Sequence, residues 1–330
     1  SAEVAAGTFN TSVPKETIAG LSEGEFTLTF TAKDLSAKTT VETVTLKHDV
    51  TGPELTITAP DFTQWQNSTT VKVIGTADDA SVISGVYYTT DSSKTVPTAN
   101  TTTVTSWTSA GWTKATGTAS WNFTLTNLPE GETNTLKLSA VDTYGNVRAA
   151  VSNTLKVDAA YPVVGTVNYK GGNGTVKALS SASANPSYES AYPIYISGTS
   201  TDSYKVSEVK VSAVNGAVTK EKTATITEGT SVHWEVEYSE SELTEGNWTI
   251  TVTVTDGADK AQTSVPYVLC IDKTAPAVSS SFYEPGTTTV FGTGWTSINK
   301  VKVKPTVTDT TSGANEVSYY VTGTAVSDVS

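Results

Sequence analysis

A motif that occurs three times, at intervals of 107 and then 115 residues, limits what this chain of 330 residues can fold into. Each copy reads as a leucine, an acidic–glycine turn, a strand, an aspartate turn, a second strand, and a closing aspartate with proline four residues on. The first copy runs from Leu21 and Gly24 through Phe26–Phe30, Asp34 and Val44–Leu46 to Asp49 and Pro53. The second has Leu128, Gly131, Leu136–Leu138, Asp142, Leu155–Val157, Asp158 and Pro162. The third has Leu243, Gly246, Trp248–Val252, Asp256, Leu269–Ile271, Asp272 and Pro276. Between the turns apolar residues alternate at period two, as a sheet with one buried face requires. Trp121, Phe123 and Leu125 alternate with Asn122 and Thr124, and Trp234, Val236 and Tyr238 with glutamates. Strand-sized runs separated by turn residues, in a repeat of about 100 residues, predict an all-β antiparallel sandwich.

The front of the repeat recurs as well. Val71–Asp78, with Gly75, matches Ile194–Asp202, with Gly198, and Val301–Asp309 follows more loosely. The expected domains are therefore 1–50, the C-terminal half of a sandwich; 51–158 and 159–272, two complete ones; and 273–330, an N-terminal half. Aligning Tyr319–Tyr320 with Tyr87–Tyr88 makes the two halves nearly complementary. They read either as a window of a longer array or as ends that complete one another between molecules, head to tail. The chain starts at Ser1 without a charged-then-apolar leader, which reads as a processed or excised piece.

The Val-Asp-x-x-x-Pro and Ile-Asp-Lys-Thr-Ala-Pro junctions, each with an aspartate turn upstream, resemble those of tandem bacterial immunoglobulin-like (Ig-like) domains in large cell-surface and adhesin proteins. The resemblance covers nearly the whole chain. It implies tandem Ig-like β-sandwiches arranged as an extended rod, outside the cell, on a microbial surface or secreted. It names no ligand.

Composition excludes several classes. A formal net charge of −12 suits neither nucleic acid nor an anionic lipid surface. Apolar runs fall far short of the ~20 residues of a membrane helix. The one cysteine, Cys270, allows no internal disulfide, so the cores must hold by packing, and this too favours a microbial source. By alignment with Lys47 and Lys156 on a polar strand face, Cys270 is expected to be at least partly exposed.

Catalytic residues are scarce. The two histidines, His48 and His233, fall in different copies, and no nucleophile elbow occurs, so the chain reads as a non-enzyme. The off-pattern aromatics Tyr87, Tyr88, Trp107 and Trp112 are expected in core or edge packing, with a face for a glycan or protein ligand as the alternative. Aspartates are the best candidate ligands. In an Ig-like sandwich the entering chain lies beside the B–C and F–G loops. That groups Asp49 with Asp78, Asp79 and Asp142; Asp158 with Asp202 and Asp256; and Asp272 with Asp309. Carboxylates with nearby carbonyls are hard oxygen donors suited to Ca²⁺. The plainer alternative is that aspartate is simply a good turn residue, and the turn of the first copy, Lys33–Asp34, looks only loosely kept. The expected partners are neighbouring repeats of the same or an adjacent chain.

Overall fold

The computed structural model describes residues 12–98, 103–283, 286–288, 290 and 302–318; Tyr319 and Tyr320 lie outside them. The chain divides into two compact units, Ser1–Ala159 and Ala160–Ser330.

In the first unit a short helix, α1 (Lys15–Ala19), precedes a hairpin of β1 (Gly24–Lys33) and β2 (Thr39–His48). A complete sandwich comes next: β3 (Glu54–Ala59), β4 (Trp65–Gln66), β5 (Val71–Asp78), β6 (Ile83–Thr89), β7 (Thr113–Lys114), β8 (Thr116–Gly117), β9 (Ser120–Leu125), β10 (Gly131–Asp142) and β11 (Val151–Val157). One sheet has the order β3-β5-β9-β8 and the other β4-β11-β10-β6-β7. The pairing of β4 with β11 is parallel, and the other strand pairs of both sheets are antiparallel. Alternation along β5 sends Val71, Val73 and Ala77 inward, where they meet Trp121, Phe123, Leu136, Leu138 and Leu155 in one core. That is the Ig-type arrangement, with two inner faces interdigitating.

The β6–β7 connection adds a second helix, α2 (Val104–Ser109), whose N-cap Thr103 accepts the Ser106 N–H. This helix carries Trp107 into a satellite core with Trp112, Tyr87 and Val141. Trp107 stacks on Tyr87 at 4.3 Å, Tyr88 stacks on Phe123 at 3.7 Å, and Trp112 Nε1 donates to the Thr95 carbonyl. Trp107, Trp112 and Tyr87 are buried and Tyr88 partly so, which sets aside the exposed aromatic face weighed for them.

The second unit repeats the sandwich with β12 (Val163–Gly171), β13 (Lys177–Ala178), β14 (Ser187–Glu189), β15 (Ile194–Asn215), β16 (Val218–Thr223), β17 (Gly229–Tyr238), β18 (Gly246–Asp256), β19 (Ala261–Thr263) and β20 (Tyr267–Ile271). Strand β15 serves both layers: Ile194–Thr201 pair with β17, and Val206–Val214 pair with β18. A register shift between Thr201 and Val206 marks the crossing. A final hairpin joins β21 (Ala277–Tyr283) to β22 (Lys302–Thr308).

Both complete sandwiches use the same core device. Gly75 faces Trp121 across β5–β9, and Gly198 faces Trp234 across β15–β17. A Cβ at Gly75 would fall 2.2 Å from the Trp121 ring and one at Gly198 2.6 Å from the Trp234 ring. The missing side chain is the space the indole fills.

Cys270 departs from expectation: it is fully buried. Lys47, at the equivalent position, has a side chain 75% exposed. Cys270 instead lies opposite Tyr188 of β14, and its Sγ donates to the Thr311 carbonyl at 3.5 Å. The loop after β22 covers a face that alignment alone reads as open.

Candidate metal centre at the repeat junction

Three aspartate turns share one geometry. Oδ1 of Asp34 accepts the N–H groups of Ser36 and Lys38, Oδ1 of Asp142 those of Tyr144 and Asn146, and Oδ1 of Asp256 those of Ala258 and Lys260, all at 2.7–2.9 Å. Each aspartate N–H bonds to the carbonyl four residues on. The third residue after each aspartate, Ala37, Gly145 or Asp259, takes a positive φ. A carboxylate folded over its own loop is a local backbone mimic. The first copy therefore keeps the turn fully, contrary to the loose match its sequence suggests.

In the first unit this turn meets the segment leaving β2. Asn146 Nδ2 donates to the Asp49 carbonyl at 3.1 Å and to Asp142 Oδ2 at 2.7 Å. A Cβ at Gly52 would stand 2.5 Å from the backbone N of Arg148, so the linker presses directly on the loop. On the other side Asp79, in the β5–β6 loop, accepts the Ser81 N–H and hydroxyl on Oδ1. One carboxylate oxygen from each of Asp49, Asp79 and Asp142 lies within 4.8 Å of the other two. Asp142 is fully buried, and Asp49 and Asp79 are half-buried. Asp49 Oδ2 and the neighbouring His48 Nδ1 are sealed from solvent without a hydrogen bond. Beside them lies a cavity of about 180 Å³ bounded by Lys47, His48, Asp49, Ser81 and Tyr144. Asp78 does not join the group, because the alternation of β5 turns it to the exposed face.

Like charges at such separations repel by about 3–4 kcal/mol per pair at an effective dielectric near ~20. Oxygens across a Ca²⁺ ion, bound at about 2.3–2.6 Å each, sit about 5 Å apart. Spacing, donor type and the orphaned Asp49 oxygen all fit a hard divalent cation.

In the second unit Asp202 sits where β15 crosses between layers, and its Oδ1 accepts the N–H groups of Tyr204 and Lys205. Asp202 is 8% exposed and Asp256 0%. The Oδ2 atoms of both are buried without a hydrogen bond. Burial, with the Asp202 charge adding to it, holds the Asp256 carboxyl above its ordinary pKa, against the opposing Lys260 and Ala258 N–H groups. Asp158 closes β11 in the first unit, buried, its N–H on the Gln66 carbonyl.

Asp272 and Asp309 belong to no group of three acids among the described residues. Asp272 Oδ1 accepts the Thr274 N–H. Asp309 Oδ1 accepts the N–H groups of Thr311, Ser312 and Gly313, which hold it below the ordinary carboxylate range.

One junction contact was not anticipated. Glu23, in the acidic–glycine turn, accepts the Thr51 hydroxyl at 3.0 Å, and Glu245 accepts those of Thr274 at 3.0 Å and Thr311 at 3.2 Å. The signal was a threonine two residues after Asp49 and Asp272; the second copy has Ala160 there.

No curated protein matches the chain. Among solved structures it is similar to the fibronectin(III)-like modules of Clostridium thermocellum CbhA, at 18% identity and a TM-score of 0.38, over 66% of this chain and 94% of that one. It is also similar to a tetra-tandem repeat in the extending region of a large adhesion protein, at 20% identity and a TM-score of 0.29, over 82% of this chain and 62% of that one. Residues 232–329, which run from β17 through the Asp272 junction and beyond β22, match the family model described as bacterial Ig-like domain (group 3).

Proposed function

We propose that this chain is a non-catalytic structural segment, a stalk of an extracellular microbial repeat protein, whose repeat junctions are stiffened by bound Ca²⁺. The observation that carries the reading is the convergence of Asp49, Asp79 and Asp142 from three separate stretches of chain within 4.8 Å. Asp49 belongs to the linker, and Asp79 and Asp142 to loops of the sandwich after it. An ion shared among them would replace mutual repulsion with a common bond and resist bending of the linker. The loop bonds place Oδ1 of Asp79 and Asp142 before any ion arrives, so little ordering is left for binding to supply.

The buried pair of Asp202 and Asp256 supports the same chemistry in the second unit, since two buried carboxylates with unpartnered oxygens are costly without a cation or a proton. No helix among the described residues is long and apolar enough to cross a membrane. Thermal unfolding of the chain in calcium and in chelator tests the reading. A rise in Tm with calcium, absent with magnesium at the same concentration, supports it, and identical curves sink it.

A further inference from the structure

The third junction, after β20, is closed by other means than the first. Glu245, in the turn before β18, uses both carboxylate oxygens: Oε2 accepts the Thr274 hydroxyl at 3.0 Å and Oε1 the Thr311 hydroxyl at 3.2 Å. Thr274 belongs to the linker and Thr311 to the loop after β22, so one side chain holds three stretches of chain together. Thr311 also offers its carbonyl to the Cys270 Sγ at 3.5 Å, and the thiol is 0% exposed. The loop is already shaped for this contact. Asp309 Oδ1 gathers the N–H groups of Thr311, Ser312 and Gly313, and Gly313 takes a φ of 76°.

The matching positions of the first junction are built differently. Glu23 accepts the Thr51 hydroxyl. Ala80, which has no hydroxyl, stands at the position of Thr311, and Lys47 at that of Cys270. Both border the cavity of about 180 Å³, so the first junction is open where the third is filled.

The third junction also carries its own cation. Lys273 follows Asp272 directly, where Val50 follows Asp49 and Ala159 follows Asp158. Its amine pairs with Glu240, in the loop between β17 and β18, and stands 5.7 Å from the centre of the Tyr192 ring. Burial, and then the charges of Asp272, Asp309 and Glu245, hold the Cys270 thiol above its ordinary pKa, so it stays protonated and adds no charge to these acids.

We propose that the third junction is a latch, closed by Glu245 and the two threonines, that seals the Cys270 thiol and needs no divalent cation. The latch narrows the calcium reading to junctions whose acids converge, and it stands on contacts that do not depend on that reading.

Labelling of the single cysteine with a maleimide tests the latch on the full chain. At one pH the rate is expected to be the same in calcium and in chelator, and far below the rate in urea. The paired variant Thr274→Val, Thr311→Val keeps every charge and the shape of both side chains but removes both hydroxyl donors. It should label at least about tenfold faster, the effect of losing hydrogen bonds to a charged acceptor, at an unchanged melting temperature. Protection that is absent from the unaltered chain, or lost in chelator, overturns the proposal. So does a paired variant that labels at the unaltered rate, and so does one that labels faster only as its melting temperature falls, which places the exposure in global unfolding.

Discussion

The side-chain amide of Asn146 donates to the backbone carbonyl of Asp49, 97 residues earlier in the chain. The same amide donates to Asp142 Oδ2, so one side chain ties the linker to the aspartate turn and holds two of the three junction carboxylates together. These bonds come from uncharged donors, so they order the junction carboxylates without neutralising them.

Gly52 makes that organisation testable without touching a ligand. Gly52→Ala would drive its Cβ into the backbone of Val147 and Arg148, which has no rotamer to yield. The expected outcome is a linker displaced from the loop and a calcium affinity reduced at least about tenfold, equivalent to about 1.4 kcal/mol. Titration calorimetry on the variant and the unaltered chain checks it.

Asp79→Asn separates charge from shape. The amide oxygen can still accept the Ser81 N–H and hydroxyl, so the loop survives while one charge is lost. In chelator the variant should unfold at a higher temperature than the unaltered chain, because it removes two of the three repelling pairs. With calcium the order should reverse. Scanning calorimetry in both buffers reads the sign directly.

The glycine–tryptophan pairs carry the core. Gly198→Val would place two methyl groups against the Trp234 ring and the Thr166 carbonyl. A cost of about 1–3 kcal/mol or more is expected, measured as a lowered midpoint in urea. An unchanged midpoint would mean the indole can move, and the packing account would be wrong.

Stability against pH should show two opposite contributions. Asp256 has its pKa raised by burial, so its contribution is complete below its ordinary value of 3.8 and is lost as pH rises through the raised folded value. In chelator, Asp256→Asn should therefore be more stable than the unaltered chain at pH 7, an advantage that shrinks toward pH 4. Glu242 runs the other way: the Lys222 amine and the Ser239 N–H hold it down to about 2, so its contribution is present above 4.5 and lost as pH falls through about 2. Thermal melts across this range, with Glu242→Gln as the second variant, separate the two.

Periodicity carried much of the fold. Trp121, Phe123 and Leu125, and Trp234, Val236 and Tyr238, point inward as their alternation requires, because a strand with one wet face leaves no other option. Gly75 and Gly198 were visible as matched positions, but their reason, an indole from the next strand, depends on cross-strand register that a linear pattern does not contain. Trp107 was illegible for a related cause: it rides a six-residue helix that the other complete sandwich lacks, so aligning the two could not place it. The error at Cys270 came from treating a strand face as independent of distant chain, whereas Thr311, 41 residues on, covers it. Among the junction acids, a rule about which loops meet the incoming chain singled out Asp49, Asp79 and Asp142. It also admitted Asp78, which strand alternation should have removed.

The most direct measurement is a calcium titration of the full chain by isothermal calorimetry, repeated on Asp79→Asn. Saturable calcium binding that is at least about tenfold weaker or loses one site in the variant is the predicted result. No binding heat at millimolar calcium, confirmed by an unchanged melting temperature, or binding indifferent to Asp79, would contradict the account.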